Sequence, residues 1–356
     1  MQDIDLKSIT HNAADIYYML RAIELAKKGQ YTARPNPCVG CVIVKDGTII
    51  GEGYHYQAGQ PHAEVFALRQ AGEQAQGATA YVTLEPCSHY GRTPPCADAL
   101  IQANIQKVVI AVTDPNPKVA GGGILKLRQA GINVVTDICY EQAYGLNQGF
   151  FATMSGGLPY VRLKIASSLD GRIAMATGES KWITGELARD DVQRLRAISG
   201  AIITGSQTIL ADLPRLNVRS HSLGVPLGDI AQPLLVVLDR RGQIDSQGDW
   251  YKQQASRRAI LLIQKQISLE NILLTLKNDY QIHDVMIEAG ASLSTSFLMQ
   301  NLVNEFIVYQ APCLLGQQGR AMFTADFNLL SQQVRFKLVS HETLGNDMRL
   351  LFKKYG

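Results

Sequence analysis

His62 opens a helix-like segment after Gly59-Gln60-Pro61, and Pro86-Cys87 with Cys96 lies between a strand-like run and the next helix. One imidazole and two thiolates make three soft-to-borderline ligands, the number with which catalytic zinc keeps its fourth position for water; a structural zinc is usually closed by four. Glu64 stands two residues beyond His62 and so does not share its face of a helix. That spacing suits a base better than a ligand. Zinc acidifies water, and a carboxylate within hydrogen-bond reach can take the released proton and pass it to a leaving amine. His89 lies between the two cysteines, but as a fourth ligand it would close the position that water needs. The set predicts one catalytic Zn2+ per chain on His62, Cys87 and Cys96, with Glu64 as the catalytic residue. Cys38-Val-Gly-Cys41 has C-x-x-C spacing, which alone can mean redox chemistry. It enters a strand rather than a helix, so the pair reads as buried thiols, as do the isolated Cys139 and Cys313.

The H-x-E and P-C elements are shared with zinc nucleobase deaminases, whose cysteines follow a C-x-x-C spacing; here eight residues separate them. The longer stretch Leu84-Glu-Pro-Cys-Ser-His-Tyr-Gly-Arg-Thr-Pro-Pro-Cys96 resembles the deaminase half of the bifunctional riboflavin-biosynthesis deaminase/reductase family. Arg34-Pro-Asn-Pro-Cys-Val-Gly40, the run from Gly51 to Glu64, and Asp114-Pro-Asn-Pro-Lys-Val-Ala-Gly-Gly-Gly123 look like the same family. Asn36 resembles a substrate-contacting position of related deaminases, and a turn-forming Pro-Asn-Pro accounts for it nearly as well.

In the second half, Glu288-Ala-Gly290-Ala-Ser-Leu-Ser-Thr-Ser296 follows an apolar strand and precedes a helix. A hydroxyl-rich turn at a helix N-terminus suits an anion such as a dinucleotide phosphate, although an ordinary strand-to-helix turn would read the same way. No G-x-G-x-x-G is present there, so a Rossmann domain is not supported. Leu163 to Ala174, Ser180-Lys-Trp-Ile-Thr184 and Thr208 to Arg219 are similar to the reductase half of the same family, whose fold resembles dihydrofolate reductase and which uses NADPH. The resemblance then covers nearly the whole chain. It implies that Ala166, Trp182, Thr208, Asp212 and the segment Gly290, Ala291, Ser292, Leu293, Ser294, Thr295 and Ser296 contact NADPH. It implies equally that Ser180, Arg196, Leu216, Arg219 and Glu288 hold the substrate. The guanidinium forks of Arg196 and Arg219 match the oxygens of a phosphate monoester. Plain structural readings stand beside these: a solvated Arg196, a core Trp182, an Asp212 that caps a turn.

The implied activity is zinc-dependent hydrolytic deamination of 2,5-diamino-6-ribosylamino-4(3H)-pyrimidinone 5′-phosphate. NADPH-dependent reduction of the ribosyl side chain follows, giving 5-amino-6-(5-phosphoribitylamino)uracil. A nucleic-acid-editing zinc deaminase with an RNA-binding second domain is the main rival, and a non-catalytic scaffold with structural zinc is another. No side chain stands out as the proton donor for the reduction.

The elements that must position these groups are legible as alternating strands and helices, hence an α/β fold. The resemblance makes it an N-terminal cytidine-deaminase-like α/β/α sandwich followed by a dihydrofolate-reductase-like α/β domain. A helix over residues 12–28 stops at Gly29, Asp46-Gly47 turns a hairpin, and strands near 80–84, 107–112 and 133–136 are separated by helices, with a last helix near 141–150. The small-residue stretch Thr153-Met-Ser-Gly-Gly-Leu-Pro159 marks the join, giving a deaminase domain over 1–152 and a reductase domain over 153–356. In the second half, strands are expected near 160–166, 200–204, 234–238, 258–263, 284–287, 304–309 and 334–339, helices near 185–197, 268–277 and 291–300, and surface loops over 220–233 and 240–255.

A chain of 356 residues, 46% hydrophobic and 18% charged, has material for two ordinary cores. Its net charge of +3 is spread without a basic block, which favours small-molecule partners over nucleic acid. The first 20 residues carry Asp3, Asp5, His11 and Asp15 where a signal peptide needs a cationic start and an apolar run, and no stretch approaches a membrane span. A cytoplasmic enzyme is expected, and the family resemblance adds a homo-oligomer.

Overall fold

Successive residues along the strands of the first half serve opposite sides of one sheet, which is what builds its layers. The computed structural model describes residues 13–88, 94–116 and 120–354. The chain separates into two units, residues 1–157 and 158–356.

The first unit runs α1 (Ala13–Lys27), β1 (Gly40–Lys45), β2 (Thr48–Tyr54), α2 (Ala63–Ala71), β3 (Thr79–Val82), α3 (Cys96–Gln102), β4 (Lys107–Ile110), α4 (Gly122–Gln129), β5 (Asn133–Val135), α5 (Tyr140–Leu146) and α6 (Gln148–Met154). Its sheet has the order β2-β1-β3-β4-β5, antiparallel for β2, β1 and β3 and parallel from β3 to β5. Cys41, Ile43, Ala80, Val82, Val108 and Ile110 pack with Ala67, Leu100 and Leu127 of α2, α3 and α4. The intervening Val42, Val44, Tyr81 and Val109 pack on the other side with Met19, Ala22, Ala143 and Phe151 of α1, α5 and α6. This is the three-layer sandwich expected, with one revision. The single helix expected near 141–150 is two, because Asn147 leaves the helical path and turns its amide to the Cys38 backbone, accepting from Cys38 N at 2.7 Å and donating to Cys38 O at 2.8 Å.

The second unit runs β6 (Tyr160–Ser168), β7 (Arg172–Ala174), α7 (Glu186–Ile198), β8 (Ala201–Gly205), α8 (Ser206–Asp212), β9 (Leu234–Leu238), α9 (Asp249–Ala255), β10 (Ile260–Ile263), α10 (Leu269–Tyr280), β11 (Asp284–Ile287), α11 (Ala291–Met299), β12 (Glu305–Ala311), β13 (Arg320–Ala321), β14 (Phe336–Leu344) and β15 (Asp347–Lys354). An eight-stranded sheet has the order β10-β9-β8-β11-β6-β12-β15-β14, parallel from β10 to β12 and antiparallel at the last two strands. Leu163, Ile203, Val285 and Ile287 face Leu273, Leu276 and Phe297 of α10 and α11. Ile202, Met286, Ile307 and Tyr309 face Ala188 and Val192 of α7.

Three expectations are corrected. Residues 249–255, read as surface loop, form α9, whose Trp250 and Tyr251 pack against a satellite core of Ile209, Leu216, Leu235 and Val237. Helix α8 and the last strand β15 were not foreseen: α8 is short, and β15 pairs along an exposed edge strand that lacks a clean apolar alternation. Of the four cysteines expected to be buried, Cys41 is, whereas Cys38, Cys139 and Cys313 lie outside regular strands or helices and are half-buried.

Candidate functional site

The first site forms where two helices begin. His62 is the N-cap of α2 and Cys96 is the first residue of α3, while Cys87 sits in the loop that leaves β3. His62 Nδ1 lies 3.2 Å from Cys96 Sγ and 3.7 Å from Cys87 Sγ, and all three donor atoms fall within 4.8 Å of one another. Donors about 2.0–2.3 Å from one tetrahedral ion stand roughly 3.3–3.8 Å apart, so the donor set and its spacing fit zinc. His89 lies outside the described residues.

Glu64 is 3% exposed, and its Oε2 is buried with no hydrogen-bond partner. An orphaned carboxylate oxygen beside the donor set is costly unless a ligand or water meets it. Burial pushes the Glu64 carboxyl up from its ordinary value, with His62 opposing. Of the two thiols, Cys87 is the more acidic, brought well below the ordinary thiol value by hydrogen bonding from Cys96 and then from His62, while the Cys96 thiol is pushed up by the same pairing and by burial.

Sequence reasoning missed His55. It is 2% exposed, its Nδ1 is 3.2 Å from the Pro61 carbonyl, and its Nε2 is 3.0 Å from Asn36 Nδ2. A ring donating to Pro61 and accepting from Asn36 has its tautomer set by its partners. Its ring and that of His62 pack edge-to-face at 5.3 Å between centroids, so one imidazole touches both Asn36 and a zinc-type donor. Burial lowers its pKa. Its place in the Gly51–Glu64 motif was the available signal.

The loop carrying Cys87 is clamped from behind. Glu85 accepts from four backbone N–H groups, those of Asp114, Gly121, Gly123 and Ile124, at 2.9–3.2 Å. A Cβ on Gly123 would stand 1.9 Å from the Pro86 carbonyl oxygen, so this approach needs glycine.

The second site is a cleft of about 1280 Å3 at the C-terminal ends of the parallel strands, where open α/β sheets bind ligands. It exceeds the roughly 300–1,000 Å3 of a pocket for one small molecule and has room for a dinucleotide beside a substrate. Ala166, Trp182, Thr208, Asp212, Gly290, Ala291, Ser292, Leu293 and Ser296 line it, as do Ser180, Arg196, Leu216, Arg219 and Glu288. Two groups do not. Ser294 is fully buried and donates to the Ala289 carbonyl, and Thr295 accepts from Thr324, because a helix cannot turn seven consecutive residues toward one cleft.

Pairs distant in sequence meet here. Gly290 N donates to Thr208 Oγ1 at 3.2 Å, joining the start of α11 to α8, and Ser180 Oγ donates to Asp212 at 3.0 Å. Trp182 is 67% exposed, with the Arg189 guanidinium over its ring, and is no core residue. Arg196 is buried rather than solvated: Nε and Nη2 donate to Glu288 at 3.0 and 2.9 Å, so its fork is spent on a carboxylate. Lys164, a cleft-lining residue that sequence reasoning passed over, donates to Glu288 at 3.3 Å. It is a cation placed between Leu163 and Ile165 in the middle of a strand, which was the signal for it. Burial pushes the Glu288 carboxyl up, but Arg196 and Lys164 outweigh it and hold the carboxyl at about 2.

Residues 12–112 match the family model of the cytidine and deoxycytidylate deaminase zinc-binding region, and residues 159–350 match that of the RibD C-terminal domain. The riboflavin biosynthesis protein RibD of Escherichia coli strain K12 is 47% identical over 360 residues, covering 94% of this chain and 98% of the relative. A RibD structure from Acinetobacter baumannii superposes with a TM-score of 0.91 at 56% identity, covering 96% of this chain and 99% of that one. A diaminohydroxyphosphoribosylaminopyrimidine deaminase/5-amino-6-(5-phosphoribosylamino)uracil reductase from Thermotoga maritima superposes with a TM-score of 0.85 at 34% identity, with the same coverage.

Proposed function

The chain belongs to the RibD family, as a bifunctional deaminase and reductase of riboflavin biosynthesis, and from that premise we propose which of its residues carry the two reactions. The nucleic-acid-editing alternative has no support, since a RibD reductase domain occupies the half in which RNA binding was expected. The enzyme takes zinc and NADPH. Among the described residues no helix is long and apolar enough to cross a membrane.

In the first half, His62, Cys87 and Cys96 hold the zinc, which when bound supplies an activated water to the amine-bearing ring carbon of 2,5-diamino-6-ribosylamino-4(3H)-pyrimidinone 5′-phosphate. Glu64 carries the proton. Its orphaned Oε2 accepts from the water and returns the proton to the departing amino group, so that ammonia leaves; a carboxyl whose pKa is raised by burial suits both directions. His55 holds Asn36 toward the same space. The orphaned Glu64 oxygen beside three zinc-type donors is the observation that carries this assignment.

In the second half, NADPH when bound would supply hydride to the ribosyl carbon. Thr208 and Gly290, joined by their hydrogen bond, together with Ala166, Trp182 and Asp212, would hold the dinucleotide. Glu288 stays ionised between Lys164 and Arg196 and faces the substrate, with Ser180, Leu216 and Arg219 around it. With the Arg196 fork on Glu288, Arg219 is the one of the two assigned arginines left for the substrate phosphate.

We place the enzyme in the cytoplasm, acting on small molecules rather than nucleic acid. It is also proposed to self-associate, a reading supported by β14, an edge strand with Leu338 and Val339 about half exposed; light scattering on the purified chain tests it. The whole assignment is tested by giving the purified protein the diaminopyrimidinone phosphate and following ammonia, then NADPH absorbance, with zinc measured on the same sample. Ammonia followed by NADPH oxidation, with about one zinc per chain, is the expected result. Ammonia without oxidation would remove the reductase assignments.

A further inference from the structure

The loop that presents Leu216 and Arg219 is held by four side chains, of which only Arg196 lines the cleft. Five consecutive carbonyls receive side-chain N–H groups: Pro214 from Trp250 at 3.2 Å, Arg215 and Leu216 from Arg258 at 2.5 and 2.6 Å, Asn217 from Arg196 at 3.2 Å, and Val218 from Gln232 at 3.0 Å. Leu216 requires this support. Its φ of +48° lies in the left-handed region that residues with a Cβ avoid.

Arg258 is the unusual member. It is 7% exposed, it is not among the cleft-lining residues, and among the described residues no carboxylate pairs with it; its Nε has no hydrogen-bond partner. Burying a guanidinium without a counter-ion is expensive. Burial, then the neighbouring Arg196, brings its pKa down to about 10, which still leaves it charged at neutral pH. Arg219 is likewise lowered, by burial and then by Arg196 and Arg215. The surroundings of Leu216 thus gather cations, with Glu288 already taken by Lys164 and Arg196. An anion is missing from that balance, and a phosphate monoester supplies it.

We propose that Arg258 is a positioning residue for the reductase substrate: through the Arg215 and Leu216 carbonyls it fixes the loop that turns Leu216 and Arg219 into the cleft, and its buried charge adds to the field that receives the substrate phosphate. This rests on the assignment of Leu216 and Arg219 to substrate binding given above. Trp250 assists from α9.

The test is steady-state reduction of 5-amino-6-(5-phosphoribosylamino)uracil by the full-length enzyme carrying Arg258→Met, Arg258→Lys, Trp250→Phe or Arg219→Gln, with circular dichroism and the melting temperature of the reductase half as the check on folding. Arg258→Met is expected to raise KM for the phosphorylated substrate on the order of tenfold, with kcat and the KM for NADPH changed less than about threefold. Arg258→Lys, which keeps the charge but not the fork, should fall between wild type and Arg258→Met. An unchanged substrate KM in Arg258→Met, or an equal rise in both KM values, overturns the proposal. If Arg258→Met does not fold, unchanged substrate KM in both Arg258→Lys and Trp250→Phe overturns it just as well. An unchanged KM in Arg219→Gln removes the premise about the loop, and the proposal with it.

Discussion

Glu64 and Glu288 are both buried carboxylates, and their surroundings send them to opposite tasks. Glu64 has a bare oxygen and a raised pKa, so it can exchange a proton; Glu288 is pinned by two cations and stays ionised. Replacing Glu64 with Gln should lower ammonia release by roughly 10²–10⁴-fold, the usual size of general acid–base assistance. Zinc content and NADPH oxidation should stay at wild-type levels, which metal analysis and an absorbance assay on the deaminated substrate would check. Glu288 makes a prediction about pH. A carboxylate held at about 2 in the folded chain, against roughly 4.3 unfolded, contributes stability that is fully present above the unfolded value and disappears as pH falls through the folded one. Urea unfolding of the reductase half should therefore show a loss on the order of 2–3 kcal/mol between about pH 5 and pH 2. The same titration on Glu288→Gln should lack that loss, although this variant begins lower because Arg196 is left buried without its partner.

At the scale of elements, legibility followed the length and periodicity of each segment. β1, β3 and β4 alternate between two buried faces, and α1 and α7 carry apolar stripes, so their existence was readable from the sequence. α9 was not, because Asp249-Trp-Tyr-Lys-Gln-Gln-Ala255 is polar along most of its length and its Trp250 and Tyr251 pack on a small satellite core that only the tertiary fold creates. The zinc-type donors were legible because their chemistry is rare and their spacing distinctive, whereas Arg258 looks in sequence like any surface arginine. Ser294 and Thr295 were expected in the cleft because a motif was treated as a block; helical geometry selects only some of its positions. The glycines of the Asp114–Gly123 motif gain a physical reason here. Gly123→Ala should destabilise the deaminase half by about 1–3 kcal/mol or more, since its new methyl meets the Pro86 carbonyl. A lower Tm for that half and faster loss of zinc on dialysis, with NADPH oxidation intact, are the expected readings.

For the molecule as a whole, the three zinc-type donors and the proposed cofactor cleft lie in separate units. A strong chelator should therefore abolish ammonia release while leaving NADPH oxidation with 5-amino-6-(5-phosphoribosylamino)uracil unchanged; loss of both would mean that the reductase also depends on the metal. The arginines around Leu216 carry a last consequence, for heat rather than turnover. While the cleft is empty, their mutual repulsion is an internal load on that half, and any dianion that settles among them relieves it. Inorganic phosphate should then raise the melting temperature of the reductase half more than chloride does at matched ionic strength. An enzyme supplied with its own phosphorylated intermediate would outlast one that is starved of it.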